Sequence, residues 1–248
     1  MRGELPVPPA DLWIDGSGLS LLPGFWNAHV RMDAEVLYAA LSATGPEIEA
    51  LVRNRFSRFG FTTVVDTNTP REALEPLIER IQSGEVMGPR IISVQGGAMG
   101  GVRFPDPSGP PWSSGALAPL ANRDVAVVPG LALHFGDSGA YDPERELSAL
   151  HGFVERGGRL VFGTGAGYVP RYDPMPDHLL LDEGGITFAD HLASLTSEPA
   201  IRFGHDYLGR VAPGMVADLV LLDGDPEMDV TAFGRVRLVL REGRALFW

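Results

Sequence analysis

The chain has 248 residues, of which 44% are hydrophobic and 21% charged, and its formal net charge is −12. This length fits one α/β domain with a small appendage. The acidic excess repels phosphate backbones and anionic membranes, so neither nucleic acid nor a membrane is expected as a partner. There is no cysteine, and all 20 basic residues are arginine, which excludes disulfides, thiolate metal sites and a carbamylated lysine between two metals. Residues 1–13 contain no apolar stretch of signal-peptide length, and we expect a cytoplasmic protein.

The first half of the chain predicts strands that alternate with helices. In chain order the patterns predict a strand after a Pro-Gly turn within residues 19–33, a helix over 45–59, a strand over 61–65, a helix over 70–83 with Thr69 as N-cap, and a strand over 90–94. Such alternation predicts a parallel sheet covered by helices on both faces.

The alternation breaks at residues 96–114, which are rich in glycine and proline and predict a loop. Beyond this loop the patterns predict a strand over 125–133, a helix over 143–156, a strand over 159–162, a helix over 188–195, and two strands over 217–222 and 235–241. The last two indicate a closing β-structure.

Four segments, in order, resemble the amidohydrolase superfamily, most closely its imidazolonepropionase-like and prolidase-like branch. They are DGSGLSLLPGFWNAHVRMD, RFGFTTVVDTN followed by GPRI, RLVFGTGAG, and GRVAPGMVADLVLLDGDP with VRLVLREGRALF. The resemblance implies a TIM-type barrel of parallel strands, a flanking β-domain and metal-dependent hydrolysis of C–N bonds other than peptide bonds.

The chain departs from that family in length. The segment VAVVPGLAL resembles the seventh barrel strand, and the stretch between residues 95 and 125 is too short for three βα units. We therefore expect an α/β fold with an incomplete TIM-type barrel of about five βα units, in the spatial order seven, eight, one, two, three, together with a small C-terminal β-element. This is a remnant of the composite domain of metallo-dependent hydrolases. Residues 1–18 would be a remnant of the flanking β-domain, residues 19–205 the truncated barrel, and residues 206–248 the C-terminal strands of the flanking domain.

The resemblance also implies where a metal would be held. His29 matches the first ligand, but Arg31 stands at the second ligand position, and Gly165 stands where the family has an aspartate that is both ligand and general base. A guanidinium has no lone pair and repels a cation. The other family ligands lie on strands that are missing here. We therefore expect no cofactor and no metal-dependent activity, and interpret the protein as a binding or assembly protein.

Structural roles are expected for some of these charged and polar side chains. His29 and Arg31 are two residues apart on a strand, so both should face the barrel interior. There an ion pair with Asp33 or Asp66 would neutralise the guanidinium. His191 lies within a predicted helix, where packing is the expected role.

Other interpretations of the same residues remain open. His29, Arg31 and Asp66 could catalyse hydrolysis, or a related lyase or isomerase reaction, on a small amide, lactam or dipeptide-like substrate without metal. His134 and Asp137 could join His29 around one weakly held divalent ion such as zinc. Arg31, with His134 and Asp137 nearby, could instead bind a small anionic ligand.

The missing strands have consequences for assembly. Two open sheet edges and an uncovered apolar flank invite pairing. We expect either a homo-oligomer, a complex with a full-length amidohydrolase paralogue, or a cover made by residues 96–123.

Overall fold

The computed structural model describes residues 14–94, 100–105, 112–121, 123–134 and 142–248. The strands are β1 (Leu19–Pro23), β2 (Phe25–Val30), β3 (Phe61–Asp66), β4 (Arg90–Ser93), β5 (Val102–Arg103), β6 (Ala126–Val127), β7 (Arg159–Leu160), β8 (Leu219–Asp223), β9 (Val236–Arg241) and β10 (Arg244–Phe247). The helices are α1 (Ala34–Ser42), α2 (Gly45–Arg55), α3 (Arg71–Gln82), α4 (Ser114–Ala121), α5 (Pro143–Glu155), α6 (Met175–Glu183), α7 (Phe188–Leu195) and α8 (Ser197–Arg202). Within these ranges, every helix is too short or too polar to traverse a lipid bilayer.

Six parallel strands form the barrel-like part of the fold. β2 pairs with β3 and β3 with β4, while β6 pairs with β5 on one side and β7 on the other. The backbone around and beyond β7 joins the two sets, since Ala28 N donates to Phe162 O and Gly165 N donates to His29 O, both at 2.8 Å. The spatial order is therefore β5, β6, β7, β2, β3, β4, which contains the predicted order of strands seven, eight, one, two and three.

β5 is an addition to the predicted set. It lies in the stretch of residues 96–114 that the sequence predicted to be a loop, and it pairs in parallel with β6. Two residues are too few to produce a period-two pattern, so the sequence carried no signal for this strand. The barrel-like part thus has six parallel strands in the described ranges rather than five.

Apolar side chains fill the interior of the strand layer. Trp26, at the start of β2, stacks on Phe203 with ring centroids 6.0 Å apart and an interplanar angle of 12°. Phe203 directly follows α8, so this helix end covers the amino ends of the strands. The polar strand ends, including His29 and Asp66, lie at the opposite end, where barrels of this type build their sites.

The helices pack on the outer side of the strands through regular apolar spacing. In α3, the buried residues Leu74, Leu77 and Ile81 recur at intervals of three and four. The start of α2 is fixed by a capping box between Thr44 and Glu47, in which the Glu47 carboxylate accepts from the backbone N–H of Thr44. The predicted N-cap Thr69 lies one residue too early, because α3 begins at Arg71 with Pro70 at the N-cap position. The backbone N–H and the hydroxyl of Thr69 donate to Asp66.

A four-stranded antiparallel sheet in the order β1, β8, β9, β10 stands beside the barrel. β1 therefore lies in the same sheet as the C-terminal strands. Asp218, the aspartate of the Pro-Gly-x-x-Ala-Asp segment, ties the units together. Its carboxylate accepts from Arg90 at 2.9 Å and from Glu242 N at 2.8 Å, and its carbonyl accepts from Gly24 N at 2.7 Å.

Candidate functional site

His29 lies at the carboxyl end of β2 and is 2% exposed. Its ring centroid is 4.9 Å from that of Tyr168 and 5.8 Å from that of Phe104. Burial among these groups lowers the pKa of His29 to about 4, so the imidazole is neutral at physiological pH. Its Nδ1 is buried and has no hydrogen-bond partner among the described residues. A buried nitrogen without a hydrogen-bond partner is uncommon in folded proteins, which makes the ring of His29 a candidate functional group.

Arg31 lies just beyond the end of β2, and its side chain is exposed. Two residues apart on a strand, His29 and Arg31 were expected to face the same interior. The strand ends at Val30, so the alternation no longer holds at residue 31. Within the described ranges the guanidinium forms no ion pair and donates no hydrogen bond. Only the backbone is held, with Arg31 N donating to Ala166 O at 2.8 Å.

The predicted ion pair of Arg31 with Asp33 or Asp66 is wrong. Asp33 caps α1, pairs with Arg55 and accepts the hydroxyl of Tyr172. Burial acts to raise the pKa of Asp33, but the hydrogen bonds and the charge of Arg55 outweigh it and lower that pKa. Asp33 is thus already neutralised by other partners.

Asp66 is fully buried at the end of β3 and is saturated with hydrogen bonds. Oδ1 accepts from Asn68 N at 3.1 Å and Thr69 N at 2.7 Å, while Oδ2 accepts from Met32 N at 2.7 Å and from the Thr69 hydroxyl at 2.7 Å. Four donors on one carboxylate leave little capacity to accept a proton from a substrate. Asp66 therefore has a structural role, because it holds the segment after β2 against the segment after β3.

Gly165 stands where the resemblance in sequence implied an aspartate. Its φ is +68°, and a Cβ built there would lie 2.0 Å from Leu133 Cδ2. Leu133 comes from the short 3₁₀ helix after β6 and is 8% exposed. A side chain at residue 165 would therefore need both a left-handed backbone and the space that Leu133 fills.

The donors of the described residues do not fit a divalent metal. Zinc needs about three protein ligands, and in the parts of the chain that the structure describes, no group of three His, Cys, Asp or Glu residues could hold an ion. His29 contributes one imidazole, and the ring contacts recorded for it are with Phe104 and Tyr168. Asp137 and the side chain of His134 lie outside the described residues, so the alternative site with His29 stays a prediction.

Two residues of this site were not singled out from the sequence. The hydroxyl of Tyr168, which follows the GTGAG segment, lies 2.9 Å from the hydroxyl of Thr67. Burial raises the pKa of Tyr168. An aromatic residue directly after a glycine-rich strand end was the available signal.

A second group of buried titratable residues lies under α6 and α7. His178 Nδ1 is 2.9 Å from His191 Nε2, and the ring of His178 lies between those of Phe162 and Phe233, at 4.7 Å from each. Burial lowers the pKa of both histidines. The pair makes up one stacked layer of the core, in agreement with the packing role expected for His191.

One family model and several solved structures are similar to this chain. Residues 142–246 match the model of the amidohydrolase family. The fold is similar to a Xaa-Pro dipeptidase with methionine in its active site (16% identity, 92% of this chain and 87% of that chain covered, TM-score 0.68). It is also similar to a prolidase complexed with N-methylphosphonate-L-proline (19%, 96% and 90%, TM-score 0.66) and to the A. niger ochratoxinase (13%, 92% and 83%, TM-score 0.64). Among curated proteins, no sequence matches this chain.

Proposed function

We infer that this protein is a member of the amidohydrolase family, from the match of its residues 142–246 and from its fold, and that it does not use the family's metal-dependent hydrolysis. Instead, it binds a small carboxylate at the carboxyl end of its barrel. The observation that carries the first half is the packing at Gly165. Its left-handed backbone and the contact with Leu133 leave no room for the acid that would ligate a metal and activate water. The lost groups are the ones that supply the nucleophile in metal-dependent hydrolysis.

The chemistry of the remaining groups favours an anion. Arg31 is exposed and forms no ion pair within the described ranges, and a guanidinium binds a planar carboxylate through two parallel hydrogen bonds. The backbone of Arg31 lies against Gly167, the residue before Tyr168, because a Cβ built at Gly167 would lie 1.8 Å from Arg31 O. The rings of Tyr168 and Phe104, which flank His29, provide apolar surface for the body of a ligand.

The neighbours suggest which carboxylates to try first. One holds methionine and another is complexed with a proline derivative. At this level of identity they support the fold alone, so their ligands serve only as probes. We choose N-acetyl-L-proline and L-methionine, with L-prolinamide as a probe that lacks the carboxylate.

Isothermal titration calorimetry tests the proposal. A carboxylate probe should bind, L-prolinamide should not, and Arg31→Ala should weaken binding at least about tenfold, the loss expected for one charge-assisted contact. Arg58→Ala, which removes an exposed arginine that lies over the ring of Phe59, is the matched control and should bind as the wild type does. Equal binding by Arg31→Ala contradicts the proposed site, and zinc-dependent turnover of a dipeptide that vanishes in His29→Ala contradicts the proposed loss of hydrolysis.

A further inference from the structure

The four-stranded antiparallel sheet is apolar on both faces. On its inner face, Leu22, Val220 and Val239 pack into the main core. In the strand register Leu21 lies opposite Leu221, and Leu221 lies opposite Leu238. Residues directly opposite each other in a sheet share a face, whereas successive residues along a strand point to opposite faces. These leucines therefore lie on the outer face, away from the barrel.

Six leucines make up this outer face, which we call the leucine face. They are Leu19, Leu21, Leu219, Leu221, Leu238 and Leu240. They take no part in the two hydrophobic cores formed by the described residues. Antiparallel sheets usually bury one apolar face and expose a polar one, so six leucines on the second face call for a covering layer.

Exposed apolar residues border the leucine face. At the border, Ile14 is 51% exposed and Trp248 is 86% exposed; within the face, Leu21 is 53% exposed and Leu221 is 9% exposed. Ile14 and Trp248 line one groove together with Leu19, Leu221 and Leu238, and Asp15, Ser17 and Arg237 form its polar rim. A contiguous apolar surface of this kind marks a protein–protein interface.

The charge of the leucine face favours a second copy of this chain as the occupant. The whole chain carries a formal charge of −12, so two copies repel each other over most of their surfaces. The leucine face has its own balanced pair, Arg237 with Asp223 at 3.2 Å. A neutral apolar surface on an acidic chain is where self-association meets the least repulsion.

We propose that the leucine face binds the leucine face of a second copy, so that two four-stranded sheets form one β-sandwich across a two-fold axis. Sheets packed in this way lie about 10 Å apart. A two-fold interface is self-complementary, and it brings Arg237 of one copy towards the Asp223 of the other. Each copy supplies a covering layer that the described residues of the other do not form. The proposal is independent of the barrel site and of its ligand.

The size of the face sets the strength of this dimer. Four strands of five residues cover about 300 Å² in projection. With the bordering Ile14 and Trp248, about 500 Å² of accessible surface per copy would be buried, or about 1,000 Å² in total, at the lower end of specific interfaces. The dimer is therefore expected to be reversible and to depend on concentration.

Sedimentation velocity from about 1 to about 100 µM, a range that spans weak interfaces of this size, tests the proposal. The wild type should pass from monomer to dimer over that range, and Leu21→Glu should raise the dissociation constant at least about tenfold, because it places two carboxylates in the apolar layer. The matched control is Leu41→Glu, at a leucine of α1 that is 69% exposed. It should dimerise as the wild type does.

Circular dichroism at low concentration, where all variants are monomeric, verifies that Leu21→Glu is folded. Leu21→Gln provides a neutral variant if the charged one is not, and it should also weaken the dimer. A wild type that is monomeric throughout, or a dimer that neither variant at residue 21 weakens, overturns the proposal. A dimer that Leu41→Glu abolishes would assign the interface to the face of α1 instead.

Discussion

Replacing Gly165 with alanine adds one methyl group at the point where the family's acid would stand. The backbone there has a φ of +68°, and the new Cβ would lie 2.0 Å from Leu133 Cδ2. A left-handed conformation costs a non-glycine residue about 1–2 kcal/mol, and overpacking a filled core costs about 1–3 kcal/mol. Gly165→Ala should therefore lower the free energy of unfolding by about 2–5 kcal/mol.

A double-mutant cycle separates the two contributions. Leu133→Ala alone should lower the free energy of unfolding by about 2–5 kcal/mol through the cavity it leaves. The same substitution removes the atom that the added methyl group at position 165 would meet, so the double variant should be more stable than the sum of the single effects predicts, by about 1–3 kcal/mol. Urea unfolding followed by tryptophan fluorescence measures all four proteins. Additivity within about 0.5 kcal/mol, or a Gly165→Ala variant as stable as the wild type, would refute the claim that Leu133 fills the space next to Gly165.

Three further predictions concern stability. Asp218→Ala leaves the N–H of Glu242 without its acceptor and removes one of the three acceptors of Arg90, which keeps Thr63 and the carboxylate of Glu242. It should cost about 1–3 kcal/mol in urea unfolding; a loss below about 0.5 kcal/mol would show that this ion pair contributes little to the tie between the units. Because burial lowers the pKa of His29 to about 4, the unfolded chain binds more protons between that value and about 6.5. Stability should be full above pH 6.5 and fall towards pH 4, by up to about 3 kcal/mol from this group, and His29→Gln should show a shallower fall; equal pH slopes would contradict this. Burial raises the pKa of Asp177 to about 7, so its contribution is present at low pH and lost as pH rises from 3.8 through 7, and Asp177→Asn should raise the melting temperature relative to the wild type at pH 8 but not at pH 4.

The regular elements of the fold could be predicted because their signals are local. The spacing of Leu74, Leu77 and Ile81 gave α3, and the buried run of residues 61–65 gave β3. The helix α6 was not predicted, because its buried residues include Asp177 and His178 and so break the apolar stripe. The predicted strand over 125–133 proved short, since β6 ends at Val127 and a 3₁₀ helix starts at Leu131.

The site was predicted less completely, because its properties depend on contacts between distant segments. The identities of His29, Arg31 and Gly165 were sufficient to question the metal site. The partners of Asp66 were not, because Met32 lies 34 residues away in sequence. Nor could the sequence show that Leu133 fills the space next to Gly165.

Metal analysis of the purified protein, after loading with excess zinc and dialysis against metal-free buffer, tests the central claim most directly. Because the described residues offer no group of three ligands for a metal, retained metal should be below about a tenth of an equivalent. His134→Ala and Asp137→Ala, measured in parallel, test the alternative site. One equivalent of zinc retained by the wild type and lost in His29→Ala would contradict the loss of the metal centre.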